Sequence, residues 1–159
     1  MSSTPLRSFL LPLALLAACD RGGNAGTCEL EDDLSPNSSR ASATPLDRDA
    51  ITGGAVWERA LFLCPNDEDW FEVEARPGQV LEVSLDFAQA EGDLQLELID
   101  AAGAPIAQSL SITDGEYIRH TFNDAALYYL RVFSAARGQT NAYTMRVEIG
   151  GEACEFDSL

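Results

Sequence analysis

Leu81-Glu82-Val83-Ser84-Leu85-Asp86-Phe87 and Leu94-Gln95-Leu96-Glu97-Leu98 each alternate apolar and polar side chains without a break. A period of two puts every apolar side chain on one face of an extended chain, so both segments read as half-buried β-strands. Working outward, the same alternation runs through Trp70 to Glu74, Glu116 to Phe122, Tyr128 to Phe133 and Tyr143 to Ile149. Turn signals separate the runs: Arg76-Pro77-Gly78, Glu91-Gly92-Asp93, Ala102-Gly103-Ala104-Pro105, Thr113-Asp114-Gly115 and Arg137-Gly138-Gln139. From Val56 onward the pattern predicts roughly seven or eight short strands and no amphipathic helix long enough to cross over a parallel sheet. The expected fold is all-β, an antiparallel sandwich of about eight strands. Before it, the stretch from Glu29 to Asp49 is rich in Asp, Ser, Pro and Ala and predicts a loop with at most one helical turn near Ser38 to Ala43.

The chain has 159 residues, one domain's worth, and a formal charge of −16 from 26 acidic residues against 10 arginines. The acids are spread along the chain, and such a surface repels phosphate backbones, which argues against nucleic acid as a partner. Hydrophobic residues make up 46% of the sequence, enough to build a core. His120 is the single histidine, which excludes multi-histidine zinc and two-histidine iron sites.

Residues 1–18 read as a secretion signal, with Arg7 as the positive region and an apolar run from Phe9 to Ala18 that is too short to span a bilayer. Leu16-Ala17-Ala18-Cys19 resembles the lipobox of bacterial lipoproteins, which implies cleavage before Cys19 and lipidation of its thiol. The mature chain would then begin at Cys19 and lose Arg7, reaching a charge of −17. Residues 19–27 are polar and glycine-rich, as in a flexible tether. The expected address is the bacterial cell envelope, lipid-anchored and extracytoplasmic, with the choice of inner or outer membrane open.

An oxidising compartment favours disulfides, and Cys28, Cys64 and Cys154 allow one intramolecular pair. The favoured pair is Cys28 with Cys64, which pins the leading segment to the core; Cys154 with either partner is the alternative. The domain is expected over residues 28–154, with 155–159 as a short tail.

The order of these strands and turns resembles the bacterial pre-peptidase C-terminal domain from about Asp33 to Ile149. The resemblance is carried by Asp67-Glu68-Asp69-Trp70-Phe71, Gly78-Gln79-Val80-Leu81-Glu82-Val83, Gly92-Asp93-Leu94-Gln95-Leu96-Glu97-Leu98, Asp100-Ala101-Ala102-Gly103, Tyr128-Tyr129-Leu130-Arg131-Val132 and Tyr143-Thr144-Met145-Arg146-Val147. It implies a jelly-roll-like β-sandwich. Some family members bind Ca²⁺ between the leading segment and the acidic loop before the Trp/Tyr strand. Here that implies Asp67, Asp69, Glu31 and Asn37 as ligands, while Ser35 and Ser38 stand where the family has acidic residues. Calcium needs six to eight oxygens, so the serines favour a plain acidic turn whose Asp side chains accept backbone N–H bonds.

The sequence contains no Gly-x-Ser-x-Gly elbow, phosphate-binding glycine loop or metalloprotease helix. Alternation sends Tyr129, Arg131 and Phe133 outward, and Arg119 and Arg146 lie on neighbouring late strands. If these five share an outer face they form a recognition patch; the plainer reading is cross-strand stabilisation. Taken together, the sequence predicts a non-enzymatic module that binds a polysaccharide, a matrix protein or another envelope component. The alternatives are an accessory or scaffold factor for a separate secreted enzyme and, last, a carboxylate-based hydrolase.

Overall fold

The computed structural model describes Cys28 and residues 32–151. Cys19, the tether, Glu31 and Cys154 lie outside the described residues. Among the described residues nine strands form two sheets. They are β1 (Thr44–Pro45), β2 (Trp57–Leu63), β3 (Glu68–Ala75), β4 (Val80–Phe87), β5 (Leu94–Ile99), β6 (Pro105–Ser109), β7 (Gly115–Thr121), β8 (Ala126–Ser134) and β9 (Asn141–Gly150). One sheet has the order β1-β3-β8-β5-β6 and the other β2-β9-β4-β7. All ladders are antiparallel except the short one between β1 and β3.

Each strand read from alternation is present, with its aliphatic residues on the inner face. Leu81, Val83 and Leu85 of β4 and Leu94, Leu96 and Leu98 of β5 have at most 1% of their surface exposed. They meet Phe71 and Val73 of β3, Leu130 and Val132 of β8, and Tyr143, Met145, Val147 and Ile149 of β9 in one core between the sheets. Each buried large aliphatic side chain contributes about 1.5–3 kcal/mol of hydrophobic stabilisation. A long non-local ladder such as β4 on β9, which pairs Val80 with Gly150 and Phe87 with Tyr143, forms because both strands bury this same face.

Besides β2, which none of the alternating runs marks, three elements lack such a signal. The strand β6 carries Pro105, Ile106, Ala107, Gln108 and Ser109, of which none is buried, because it is the edge of the five-stranded sheet. The two-residue β1 lies in the segment read as loop, and the single-turn helix α1 (Arg48–Ile51) begins at its end. The side chain of Asp47 caps α1 by accepting the N–H of Asp49 at 2.9 Å, and Ile51 anchors the turn in the core. The helical turn expected near Ser38 to Ala43 is a 3₁₀ turn at Arg40–Ser42. Cys28 and Cys64 are joined by a disulfide with their Cα atoms 5.9 Å apart, tying the leading segment to the end of β2.

Candidate functional site

The register of β3 on β8 sets Glu68 opposite Phe133, Trp70 opposite Arg131 and Glu72 opposite Tyr129. Because Asp69, Phe71 and Val73 point inward, these six point to the outer face of the five-stranded sheet, where all are half-buried. On the far side of β8, Gln95 and Glu97 of β5 stand opposite Phe133 and Arg131. Arg131 is the centre of this face. Its Nε donates to Glu68 Oε2 at 3.0 Å, its Nη2 donates to Glu68 Oε1, and its Nη1 donates to Glu97 Oε2 at 3.0 Å.

The same guanidinium lies 4.2 Å from the centroid of Phe133 and 5.7 Å from that of Trp70. Such cation–π contacts, with two carboxylates holding the fork, fix the guanidinium in place on this face. Trp70 Nε1 donates to Glu68 Oε2 at 2.9 Å, which fixes the indole as well. Burial alone would raise the Glu68 carboxyl, but the hydrogen bonds from Arg131 and Trp70 and the Arg131 charge hold it below its ordinary value. At the other end of the face, the guanidinium of Arg40 lies 5.5 Å from the Tyr129 centroid and donates to the carbonyl of Ala101.

An open cleft of about 450 Å³ adjoins this face, lined by Asn66, Asp67, Glu68, Arg131, Phe133 and Arg137 among others. Asn66, with φ of 61°, accepts the N–H of Gly138 through Oδ1 at 3.1 Å, so the β2–β3 turn and the β8–β9 loop close the cleft together. The lining offers carboxylate and amide acceptors, guanidinium donors and one aromatic face. That set can bind and orient a ligand carrying hydroxyls or amides.

The five residues expected to share one outer face do not. Tyr129, Arg131 and Phe133 are together on β8, but Arg119 on β7 and Arg146 on β9 lie in the four-stranded sheet, on the opposite side of the molecule. Alternation tells which side of its own sheet a residue faces; it carries no information on which sheet a strand joins. Arg119 pairs with Glu82 across β7 and β4 at 3.0 Å, while Arg146 pairs along β9 with Glu148 at 3.2 Å, both on the solvent side where such pairs stabilise little. His120 is half-buried, its ring edge-on to Phe122 with centroids 5.1 Å apart.

The residues implied as calcium ligands are likewise engaged elsewhere. Asp69 is on the inner face, 4% exposed, and its Oδ2 accepts the hydroxyl of Tyr143 at 2.6 Å. Asp67 Oδ1 accepts the N–H of Glu68 at 2.8 Å, and the backbone carbonyl of Asn37, itself buried, accepts the N–H of Trp70 at 2.9 Å. Among the described residues no group of three or more His, Cys, Asp or Glu is placed to hold a metal ion. Asp67 Oδ1, Asp69 Oδ2 and the Asn37 carbonyl thus each already accept a hydrogen bond, and Glu31 lies outside the described residues.

The sequence reading missed Glu68, Trp70 and Glu97 as members of the Arg131 face. Trp70 and Glu68 were legible as the outward residues of β3, and Glu97 as the outward residue of β5; only the pairing of β8 with both strands brings them to Arg131.

No protein-family model and no curated protein matches this chain. Solved structures do. The periplasmic lysozyme inhibitor of g-type lysozyme (PliG) from Aeromonas hydrophila superposes with a TM-score of 0.54 at 14% identity, over 67% of this chain and 95% of that one. The pre-peptidase C-terminal domain of a collagenase from Bacillus anthracis gives a TM-score of 0.47 at 14% identity, over 67% of this chain and 93% of that one. The PliG of Salmonella Typhimurium gives 0.46 at 15% identity, over 67% and 97%. At these identities the likeness to the Aeromonas protein shows a shared β-sandwich fold and leaves function to the residues of the site.

Proposed function

We propose that this protein is a non-enzymatic binding module held at the bacterial cell envelope by a lipid on Cys19, and that it binds its ligand on the outer face of the five-stranded sheet. The observation that carries this reading is the Trp70–Arg131–Phe133 stack beside an open polar cleft. Aromatic side chains and arginine, fixed in place before the ligand arrives, are the residues on which binding energy concentrates. The carboxylates of this face, Glu68 and Glu97, are turned to Arg131 and orient it. The ligand class is a polysaccharide or a protein of the envelope or its surroundings.

A second reading, an accessory factor for a separate secreted enzyme, is supported by the charge of −16, which attracts a basic protein. The fold shared with PliG, a protein named for inhibiting a g-type lysozyme, fits the same reading.

The test is a binding screen of the purified mature chain against envelope and plant glycans, matrix proteins and basic secreted hydrolases, a g-type lysozyme included. Wild type is compared with Phe133→Ala/Arg137→Glu, which leaves the Arg131–carboxylate pairs in place. Binding that falls about tenfold or more in the variant supports the face; a ligand held equally by both, with an unchanged melting temperature, overturns it. Globomycin is expected to block processing of the precursor, and a Cys19→Ala chain is expected to be released from the membrane fraction. A Cys19→Ala chain located like wild type overturns the anchor.

A further inference from the structure

Of the six large apolar side chains left exposed among the described residues, three stand at one corner of the sandwich: Leu110 at 49%, Ile112 at 79% and Tyr117 at 52%. Leu110 and Ile112 belong to the turn between β6 and β7, and Tyr117 follows on β7. This turn is inside out for one that faces water. Its polar side chains bond back to the protein: the Ser111 hydroxyl donates to the Gly115 carbonyl at 3.1 Å, and the Thr113 hydroxyl donates to the same carbonyl at 3.3 Å. The Ser111 N–H donates to Glu116 Oε1 at 2.8 Å. Asp114 accepts the N–H of Phe87 on its carbonyl at 3.2 Å and that of Gln89 on Oδ1 at 3.0 Å. The polar residues thus fix the backbone while the aliphatic ones are held out, so burying them in a partner costs little ordering.

The entry point of the chain tells which partner meets this corner. The turn lies at the same end of the sandwich as the end of β2 and the start of β9, because Gly115 pairs with Asp86, Phe87 with Tyr143 and Leu63 with Asn141. Cys28 is bonded to Cys64, directly after β2, so the leading segment joins the domain at this end. The nine residue steps from Cys19 to Cys28 reach roughly 30 Å when fully extended. The ten residues of β9 rise about as far, roughly 30 Å, from this end to the other. A lipid on Cys19 therefore keeps the Leu110–Asp114 turn beside the bilayer. The far end could face the bilayer only with the tether drawn taut along the whole sandwich.

We infer that Leu110 and Ile112 dip into the interfacial layer of the bilayer, with Tyr117 at the headgroup level, and so fix how the anchored domain stands on its membrane. The inference rests on the proposed lipid at Cys19. The four loops at this end carry Asp67, Glu91, Asp93 and Asp114 against Arg137 alone, so the surface that fits is a zwitterionic lipid, and anionic headgroups weaken the contact. Strand β5 separates β6 from β8, so the corner and the cleft beside Arg131 are different parts of this end.

The experiment uses the mature chain from residue 20, with an N-terminal hexahistidine in place of Cys19, held on phosphatidylcholine vesicles by a nickel-chelating lipid. Attachment then does not depend on lipidation, so a failure here is distinct from a failure of the anchor, which the Cys19→Ala fractionation reads. Tryptophan is placed in the turn by Ile112→Trp and at the opposite end, between β5 and β6, by Ala102→Trp, both exposed positions; acyl-brominated phosphatidylcholine is the quencher. The emission added by Ile112→Trp is expected to fall about twofold in brominated vesicles, while that added by Ala102→Trp is unchanged. Leu110→Ser/Ile112→Ser is expected to keep the wild-type melting temperature and to leave the vesicles about tenfold faster under imidazole. That difference is expected to shrink when roughly a third of the lipid is phosphatidylglycerol. Equal quenching at both ends, or none at Ile112→Trp, overturns the inference, as does equal release of wild type and the serine pair. A dimer of the untethered chain that the serine pair abolishes also overturns it, and gives the patch to a second copy.

Discussion

The hydroxyl of Tyr143 on β9 donates to Asp69 Oδ2 on β3 at 2.6 Å, a hydrogen bond that crosses from one sheet to the other with both residues buried. It is a polar tie between the sheets, and it sets the start of β3 against the start of β9. Burial, then the negative charge and hydrogen bond of Asp69, and finally the charge of Asp32 push the Tyr143 hydroxyl well above its ordinary value.

Two outcomes follow from that tie. Tyr143→Phe removes one donor from the buried Asp69 carboxylate, so urea unfolding at neutral pH is expected to show a loss of about 1–3 kcal/mol. In wild type the folded state holds the Tyr143 proton more tightly than the unfolded state. That stability is fully present below the unfolded value near pH 10 and is lost as pH rises through it toward the folded value. The alkaline fall in stability is therefore expected to be shallower in Tyr143→Phe; parallel curves would remove Tyr143 as its source.

Arg131 illustrates a different balance. Its side chain is 26% exposed and that of Glu97 only 11%, so truncating the arginine leaves one nearly buried carboxylate and one partly exposed one without their countercharge, held by the Gln108 amide and the Trp70 indole N–H. Allowing for solvent screening at Glu68, Arg131→Gln is expected to cost about 1–3 kcal/mol in denaturant unfolding. The Arg131→Gln/Glu97→Gln double variant is expected to recover part of that loss, because the stranded charge is gone. Glu68 adds an acid dependence: its lowered carboxyl contributes stability above its unfolded value that is lost as pH falls through the folded one. That acid loss is expected to shrink in Arg131→Gln.

These two sites show what was legible in the sequence. The inward direction of Tyr143 and the outward direction of Arg131 both follow from the period of two, and the structure has them so. Pairing across sheets was not legible. The alternation that sends Glu68 and Trp70 outward sends Asp69 inward, but nothing local names Tyr143, 74 positions later, as the residue it meets. For the same reason Arg119 and Arg146 could not be separated from Arg131 by pattern alone, since sheet membership is decided by long-range pairing. The edge strand β6 escaped because an edge with no buried side chain has no hydrophobic period to read.

The disulfide between Cys28 and Cys64 spans 36 positions. Closing a loop of that size limits the unfolded chain, and the chain-entropy relation gives about 3–4 kcal/mol of stabilisation. Reduction, or the Cys28→Ser/Cys64→Ser pair, is expected to lower the urea midpoint by the corresponding amount without changing the antiparallel β signature in circular dichroism. Mass spectrometry of the non-reduced mature chain is expected to find Cys28 linked to Cys64 and Cys154 outside that bond; a Cys154-linked peptide would contradict the pairing.

The corner between β6 and β7 supplies the last prediction, because it joins an edge of one sheet to an edge of the other. Glu116, 3% exposed, accepts the N–H of Ser111 at 2.8 Å, the Ser111 hydroxyl at 2.9 Å and the hydroxyl of Ser109. Ser109 is the last residue of β6, and its oxygen also accepts the N–H of Tyr117 on β7 at 3.1 Å. The carboxylate thus gathers three donors, and the serine passes one of them between the sheets. Glu116→Ala leaves the Ser111 N–H and both hydroxyls without their acceptor, and is expected to cost about 2–3 kcal/mol. Ser109→Ala alone is expected to cost about 1 kcal/mol, and a double-mutant cycle is expected to show coupling on the order of 1 kcal/mol. Additive losses would mean that the two residues hold the corner independently, and that the serine does not link the edges.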